Sequence, residues 1–131
     1  MLMRISQLDH LVITVADSGR AVQFYQDVMG MKIETFDGDR LAIRFGDQKI
    51  NIHVAGHEFQ PHALVPAPGS ADLCFITSVP VEEIVAGLGK QAVPIELGPV
   101  QRTGAVGALT SVYIRDPDGN LIEIANRNPS G

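Results

Sequence analysis

The sequence predicts an α+β fold built from two paired βαβββ modules, and three observations carry that prediction. The chain repeats itself: a shift of 62 positions lays His10-Leu11-Val12-Ile13-Thr14 on Asp72-Leu73-Cys74-Phe75-Ile76 and Ile33-Glu34 on Ile95-Glu96. Each half closes on a short alternating strand, Lys49-Ile50-Asn51-Ile52-His53 in one and Asn120-Leu121-Ile122-Glu123-Ile124 in the other. Between the halves, residues 55–70 carry Gly56, Pro61, Pro66, Pro68 and Gly69, too many breakers for a packed element. A repeat of this length marks two copies of one supersecondary unit, here expected to face a shared site. Module one spans about 7–55 and module two about 70–127, within a single domain of 131 residues.

The elements follow in order. Residues 9–15 form a β-branched strand. Asp17 or Ser18 can cap the helix after it, in which Ala21, Phe24, Tyr25 and Val28 recur at helical spacing and make its core stripe with Met29. Gly30 suits the C′ position. Three β-rich runs come next, 31–36, 40–45 and 49–54, separated by Asp37-Gly38 and Gly46-Asp47. The second half repeats the plan with a strand at 71–77 and a helix over 81–88, weakened by Gly87 and Gly89. Strands are then expected near 93–97, 109–115 and 120–126, the last two joined by the turn Asp116-Pro117-Asp118-Gly119. Residues 98–107 read as an inserted loop, the kind of segment that often carries function.

Composition narrows the function. A 45% hydrophobic content fits a globular chain with a real core. A net charge of −5 without a basic cluster argues against nucleic acid, whose binding depends on neutralising phosphates. No apolar run approaches the ~20 residues that cross a bilayer. Residues 1–7 lack a secretory apolar stretch, so a cytoplasmic location is the expectation. The one cysteine, Cys74, excludes an internal disulfide; among Leu73, Phe75 and Ile76 it reads as a small core residue.

Alternation groups the candidate ligands. His10 shares a strand face with Val12 and Thr14, Asn51 with Lys49 and His53, and Glu123 with Leu121 and Ala125. A carboxylate between Ile122 and Ile124 is costly to bury unless it meets a cation or a polar site. Ser111 and Tyr113 also share a face, and Arg102-Thr103 lie in the expected loop, where an arginine can take a carboxylate or phosphate. His57 and His62 fall in the linker and read as solvated.

Three stretches carry a resemblance to a known family: Asp9-His10-Leu11-Val12-Ile13-Thr14-Val15, Phe24-Tyr25-Gln26-Asp27-Val28-Met29-Gly30-Met31, and Tyr113 to Glu123 through Asp116-Pro117-Asp118-Gly119. Together they resemble the vicinal oxygen chelate superfamily of glyoxalases, bleomycin-resistance proteins and dioxygenases. Gly46–His53 and Pro68–Phe75 look most like its glyoxalase-domain-containing 5 type. The resemblance implies a curved eight-stranded sheet around a cleft, a homodimer, a small-molecule substrate and one divalent metal, Zn, Ni, Co, Mn or Fe. The implied ligands are His10, Asn51, Asp72 and Glu123; the loop and strand positions noted above make Arg102, Thr103, Ser111 and Tyr113 the candidates for substrate contact. Glyoxalase I usually carries Glu where this chain has Asn51 and His where it has Asp72. His53 can replace either group, and His10, His53 and Glu123 would make a two-histidine, one-carboxylate set.

These residues lead to a glyoxalase-like lyase or isomerase in which the metal polarises a carbonyl and Glu123 is the catalytic base. A ring-cleaving Fe(II) dioxygenase is the first alternative. A non-catalytic drug- or metabolite-binding protein is the second, kept by the departures at Asn51 and Asp72.

Overall fold

The computed structural model describes residues 2–129. The chain divides into two compact units, Met1–Pro68 and Gly69–Gly131. The first holds β1 (His10–Val15), α1 (Ser18–Asp27), β2 (Lys32–Phe36), β3 (Arg40–Phe45) and β4 (Gln48–Val54). The second holds β5 (Asp72–Ile76), α2 (Val81–Lys90), β6 (Leu97–Thr103), β7 (Ala108–Arg115) and β8 (Leu121–Arg127). Each is a βαβββ module with one four-stranded sheet, ordered β1-β4-β3-β2 and β5-β8-β7-β6. The first and last strands of each module run parallel and the rest antiparallel. The α+β class and the paired βαβββ plan are those the sequence predicts.

In module one Asp17 caps α1, its Oδ1 accepting from Arg20 N at 2.9 Å. The helix lies against β2, β3 and β4. Ala21 and Tyr25 are buried, as are Ile13, Val15, Ile43, Ile50 and Ile52 from one sheet face. Phe24 meets Tyr25 edge to face at 5.1 Å. Val28 closes the helix, so Gly30 (φ 69°) stands one place beyond the expected C′ position.

Module two departs from expectation in two places. Helix α2 runs through Gly87 and Gly89 to Lys90 because Val81 and Leu88 are buried, and packing offsets the weak glycine propensity. Strand β6 occupies Leu97–Thr103, not 93–97, so most of the expected inserted loop is strand. Gly98-Pro99 reads as a breaker, but the ladder absorbs it as an irregularity between Leu97 and Val100. Gly98 sits at φ 114°, and a Cβ there would lie 2.5 Å from Ser111 O, so only glycine brings these strands together.

Two asparagines tie this module together. Asp116 Oδ1 accepts from Asp118 N and Asn120 N, and its Oδ2 accepts from Asn120 Nδ2 at 2.7 Å. Asn120 Oδ1 accepts from Ala71 N, which fixes the entry to β5. Pro80, at the N-cap of α2, has no capping side chain. Asn126 of β8 substitutes for it: its Oδ1 accepts from Val81 N, and its Nδ2 donates to Thr77 O and Val79 O.

Candidate functional site

The pairing register of β1, β4 and β3 places His10, Val12 and Thr14 beside Lys49, Asn51 and His53, and Ala42 and Arg44 beyond them. These residues alternate with the buried Ile13, Val15, Ile50 and Ile52, so they share the sheet face turned away from α1. Asn51 is 6% exposed and His53 4%, yet Asn51 Oδ1 and both His53 ring nitrogens have no hydrogen-bond partner among the described residues. Buried polar atoms are paired in the great majority of cases, with protein, water or ligand, so this cluster is the candidate site of module one. His10 is exposed and its Nδ1 lies 2.8 Å from Asp9 Oδ2, an arrangement that leaves Nε2 as the free ring atom. That bond also holds the Asp9 carboxyl below the ordinary carboxylate range.

Around His53 stand groups that sequence reasoning missed. The Phe59 ring meets His53 edge-on at 5.5 Å, and Arg40 lies over both Phe59 (4.6 Å) and Phe36 (5.0 Å). Lys49 Nζ is 3.7 Å from the Phe36 centroid. Burial, and then the Arg40 charge, push the His53 imidazole below its ordinary range, so it is neutral at neutral pH.

In module two the register sets Asp72 beside Leu121, and Glu123 between Cys74 and Tyr113. Asp72 is exposed and Glu123 half-buried. Cys74 is on this exposed face and not in the core as expected, because the strand alternates Leu73 and Phe75 to the other side. Burial, then the negative charge of Glu123 and a hydrogen bond to it, push the thiol up to about 11, so Cys74 keeps its proton. Arg102 Nε donates to Tyr113 Oη at 2.9 Å, leaving the Tyr113 hydroxyl proton free to donate. Ser111, fully buried on the same face, has an Oγ without a partner among the described residues. Thr103 pairs with Ala108 and Arg102 with Leu109, so alternation turns Thr103 to the opposite side from Arg102, Ser111 and Tyr113. Both residues are in strand β6, not in a loop.

The two modules repeat this arrangement. His10 is two residues short of Val12, the residue beside Asn51, and Asp72 is two residues short of Cys74, the residue beside Glu123. Arg44, opposite Lys49, and Arg115, opposite Leu121, are likewise equivalent. Arg44 holds Glu34 at 3.2 Å and Arg115 holds Glu96 at 2.9 Å, which explains the repeated Ile-Glu pair in the sequence. Among the described residues no three His, Cys, Asp or Glu side chains gather closely enough to hold a metal ion.

Over 123 residues the chain is 52% identical to virulence protein STM3117 of Salmonella typhimurium, covering 94% of this chain and 85% of that one. It is 47% identical over 122 residues to glyoxalase domain-containing protein RDO1 of Mycosarcoma maydis, covering 93% and 69%. Among solved structures, integron cassette protein VCH_CASS1 from the mobile metagenome of V. cholerae matches with a TM-score of 0.95 at 52% identity, over 98% of this chain and 100% of that one. Lactoylglutathione lyase from Agrobacterium tumefaciens (23% identity, TM-score 0.71, 95% and 96% covered) and the antibiotic-binding protein TnmS3 from Streptomyces sp. CB03234 (22%, 0.73, 97% and 100%) share the fold alone. The sequence pattern of the superfamily matches residues 7–124, and the chain belongs to the Glyoxalase/Bleomycin resistance protein/Dioxygenase superfamily.

Proposed function

We propose that this protein is a divalent-metal-dependent enzyme that moves a proton beside the carbonyl of a small molecule, as glyoxalase-like lyases and isomerases do. Superfamily members typically use a divalent metal. One observation carries the reading: His10 and Asn51 in module one, and Asp72 and Glu123 in module two, occupy equivalent ladder positions on the face away from the helix. Two features of module one support a metal. Asn51 Oδ1 is a buried acceptor without a partner, and the His10–Asp9 bond has the form that orients a ligating imidazole. One nitrogen and three oxygen donors suit a first-row divalent ion such as Mn, Fe, Co, Ni or Zn.

When bound, that ion supplies Lewis-acid polarisation of a carbonyl oxygen. Glu123 is the base we assign, a role that requires one of its carboxylate oxygens to stay off the ion; it is half-buried between two strands with Cys74 as its hydrogen-bond donor. Tyr113, fixed by Arg102, offers its hydroxyl proton on the same face, and Ser111 a further hydroxyl. Within the superfamily we place the chain nearest the glyoxalase-domain-containing 5 type, acting as a homodimer.

Elemental analysis after loading with each candidate metal tests the reading. We expect about one ion per chain, lost in His10→Ala and in Glu123→Ala. His53→Ala retaining the ion would assign the amide position to Asn51. Absence of metal under every loading condition would overturn the proposal. Full turnover in Glu123→Gln would remove Glu123 as base. Oxygen consumption with Fe(II) would select a dioxygenase instead.

A non-catalytic small-molecule binder is the second reading. The lack of any three gathered His, Cys, Asp or Glu side chains among the described residues favours it. It predicts ligand affinity in metal-free protein and no turnover.

A further inference from the structure

We infer that module one carries an oxyanion-recognition site formed by Arg40, Lys49 and His53 with Phe36 and Phe59, taking the carboxylate or phosphate-type group of a small-molecule ligand. The inference shares with the proposed function only the sheet face that the ligand occupies.

The cations are placed but not neutralised. Phe36 at the end of β2 pairs directly with Arg40 at the start of β3, and Phe59 reaches the guanidinium from the segment after β4. Lys49 shares the Phe36 ring. Neither Arg40 nor Lys49 has an ion-pair partner among the described residues, where the ion pairs are Asp9–His10, Glu34–Arg44 and Glu96–Arg115. In a chain of net charge −5, a guanidinium and an ammonium that share one ring without a close ion-pair partner are not the default arrangement, and the nearest carboxylate influence on Lys49 is the charge of Asp9. The acidic group nearest His53, Glu58, has its Oε2 engaged by Gly56 N at 2.8 Å.

Stacking decides which part of the arginine remains available. Rings attract a guanidinium through its face, and the face carries no N–H bond. The five donors lie in the guanidinium plane, so a group held by rings through its face presents its edge to a planar, two-oxygen acceptor. His53 supplies the independent observation: it is 4% exposed and neither ring nitrogen has a partner among the described residues.

The same geometry separates His53 from the metal ligands. Arg40 lies over the same Phe59 ring that meets His53 edge-on, and a fixed positive charge so placed repels a divalent cation and attracts an anion. The structure therefore assigns His53 to the ligand's anionic end and leaves Asn51 to the metal set.

The test uses the full chain after chelator treatment, so the outcome is independent of metal binding. Inorganic phosphate and propionate are titrated separately, following the Arg40 Nε–H and His53 ring signals by NMR. Saturable shifts with either probe support the site, and the probe that binds more tightly names the ligand group. Arg40→Gln should weaken binding about tenfold or more, the loss expected for charge-assisted hydrogen bonds. Arg40→Lys, which keeps the charge and fold, should lose most of the affinity because it lacks the two-pronged edge. Arg20→Gln on α1 should change nothing. Absence of saturable shifts with both probes, or unchanged affinity in Arg40→Gln and Arg40→Lys, overturns the inference.

Discussion

In module two Asn120 and Asn126 use their polar atoms to hold a turn, a strand entry and a helix start, whereas in module one Asn51 and His53 are buried and leave acceptor atoms unpaired. The topology is the same, and so is the equivalence of Glu34–Arg44 with Glu96–Arg115. The difference lies in what each amide does. A satisfied amide stabilises its own fold, while an unsatisfied one costs stability that a ligand or an ordered water can return. Ser111 Oγ is the one buried side-chain atom of module two that shares the module-one condition among the described residues.

The comparison breaks most readily at Asn120. Asn120→Ala leaves the buried Asp116 carboxylate short of its Nδ2 donor and frees Ala71 N, and we expect a loss of about 3 kcal/mol in urea unfolding. A loss under that of Asn126→Ala would show that the turn is not the stronger tie. Asn126→Ala removes the surrogate cap of α2, so about 1–2 kcal/mol and some helical circular dichroism should disappear together.

His53→Leu should move the other way, raising stability by about 1 kcal/mol because two unpaired nitrogens give way to an apolar group of similar size. The pH profile sharpens that test. The folded imidazole titrates below 6.5, so the unfolded chain takes up a proton that the native state refuses. Stability is therefore full above that value and falls as pH drops through it, and His53→Leu should flatten the fall. Equal acid sensitivity in both proteins would place the titrating group elsewhere. The smallest effect should come from Glu96→Gln: Arg115 holds this carboxylate below its usual range, but the pair is solvent-exposed. Thermal unfolding at neutral pH should barely move.

Much of the fold was legible from pattern. β3 falls on 40–45 as expected, and β1, β4, β7 and β8 lie within a residue or two, because β-branched alternation and Gly-Asp turns are local signals. β6 was not legible, since Gly98-Pro99 is a breaker by every local rule and becomes tolerable only where Ser111 O comes close enough to exclude a Cβ. Helix α2 was underestimated for the same kind of reason: its glycines are outweighed by burial that propensity cannot see. Within the candidate site, the shared faces of His10, Asn51 and Glu123 with their neighbours followed from alternation. The Asp9-His10 dipeptide held a signal for the carboxylate on the imidazole that went unread.

What the sequence determined by itself is the repeat, the element order and which residues share a strand face, because each depends on a period of two or on turn chemistry within a few residues. What only the tertiary structure decided is which polar atoms find partners. Arg40 between Phe36 and Phe59, Asn126 at the start of α2 and Cys74 on Glu123 all join groups far apart in the chain. Periodicity assigns a side chain to a face but not to a neighbour. The neighbour is set by strand register and by loops that return to the sheet, and that is where this protein separates the polar groups that hold its fold from those buried without a partner among the described residues.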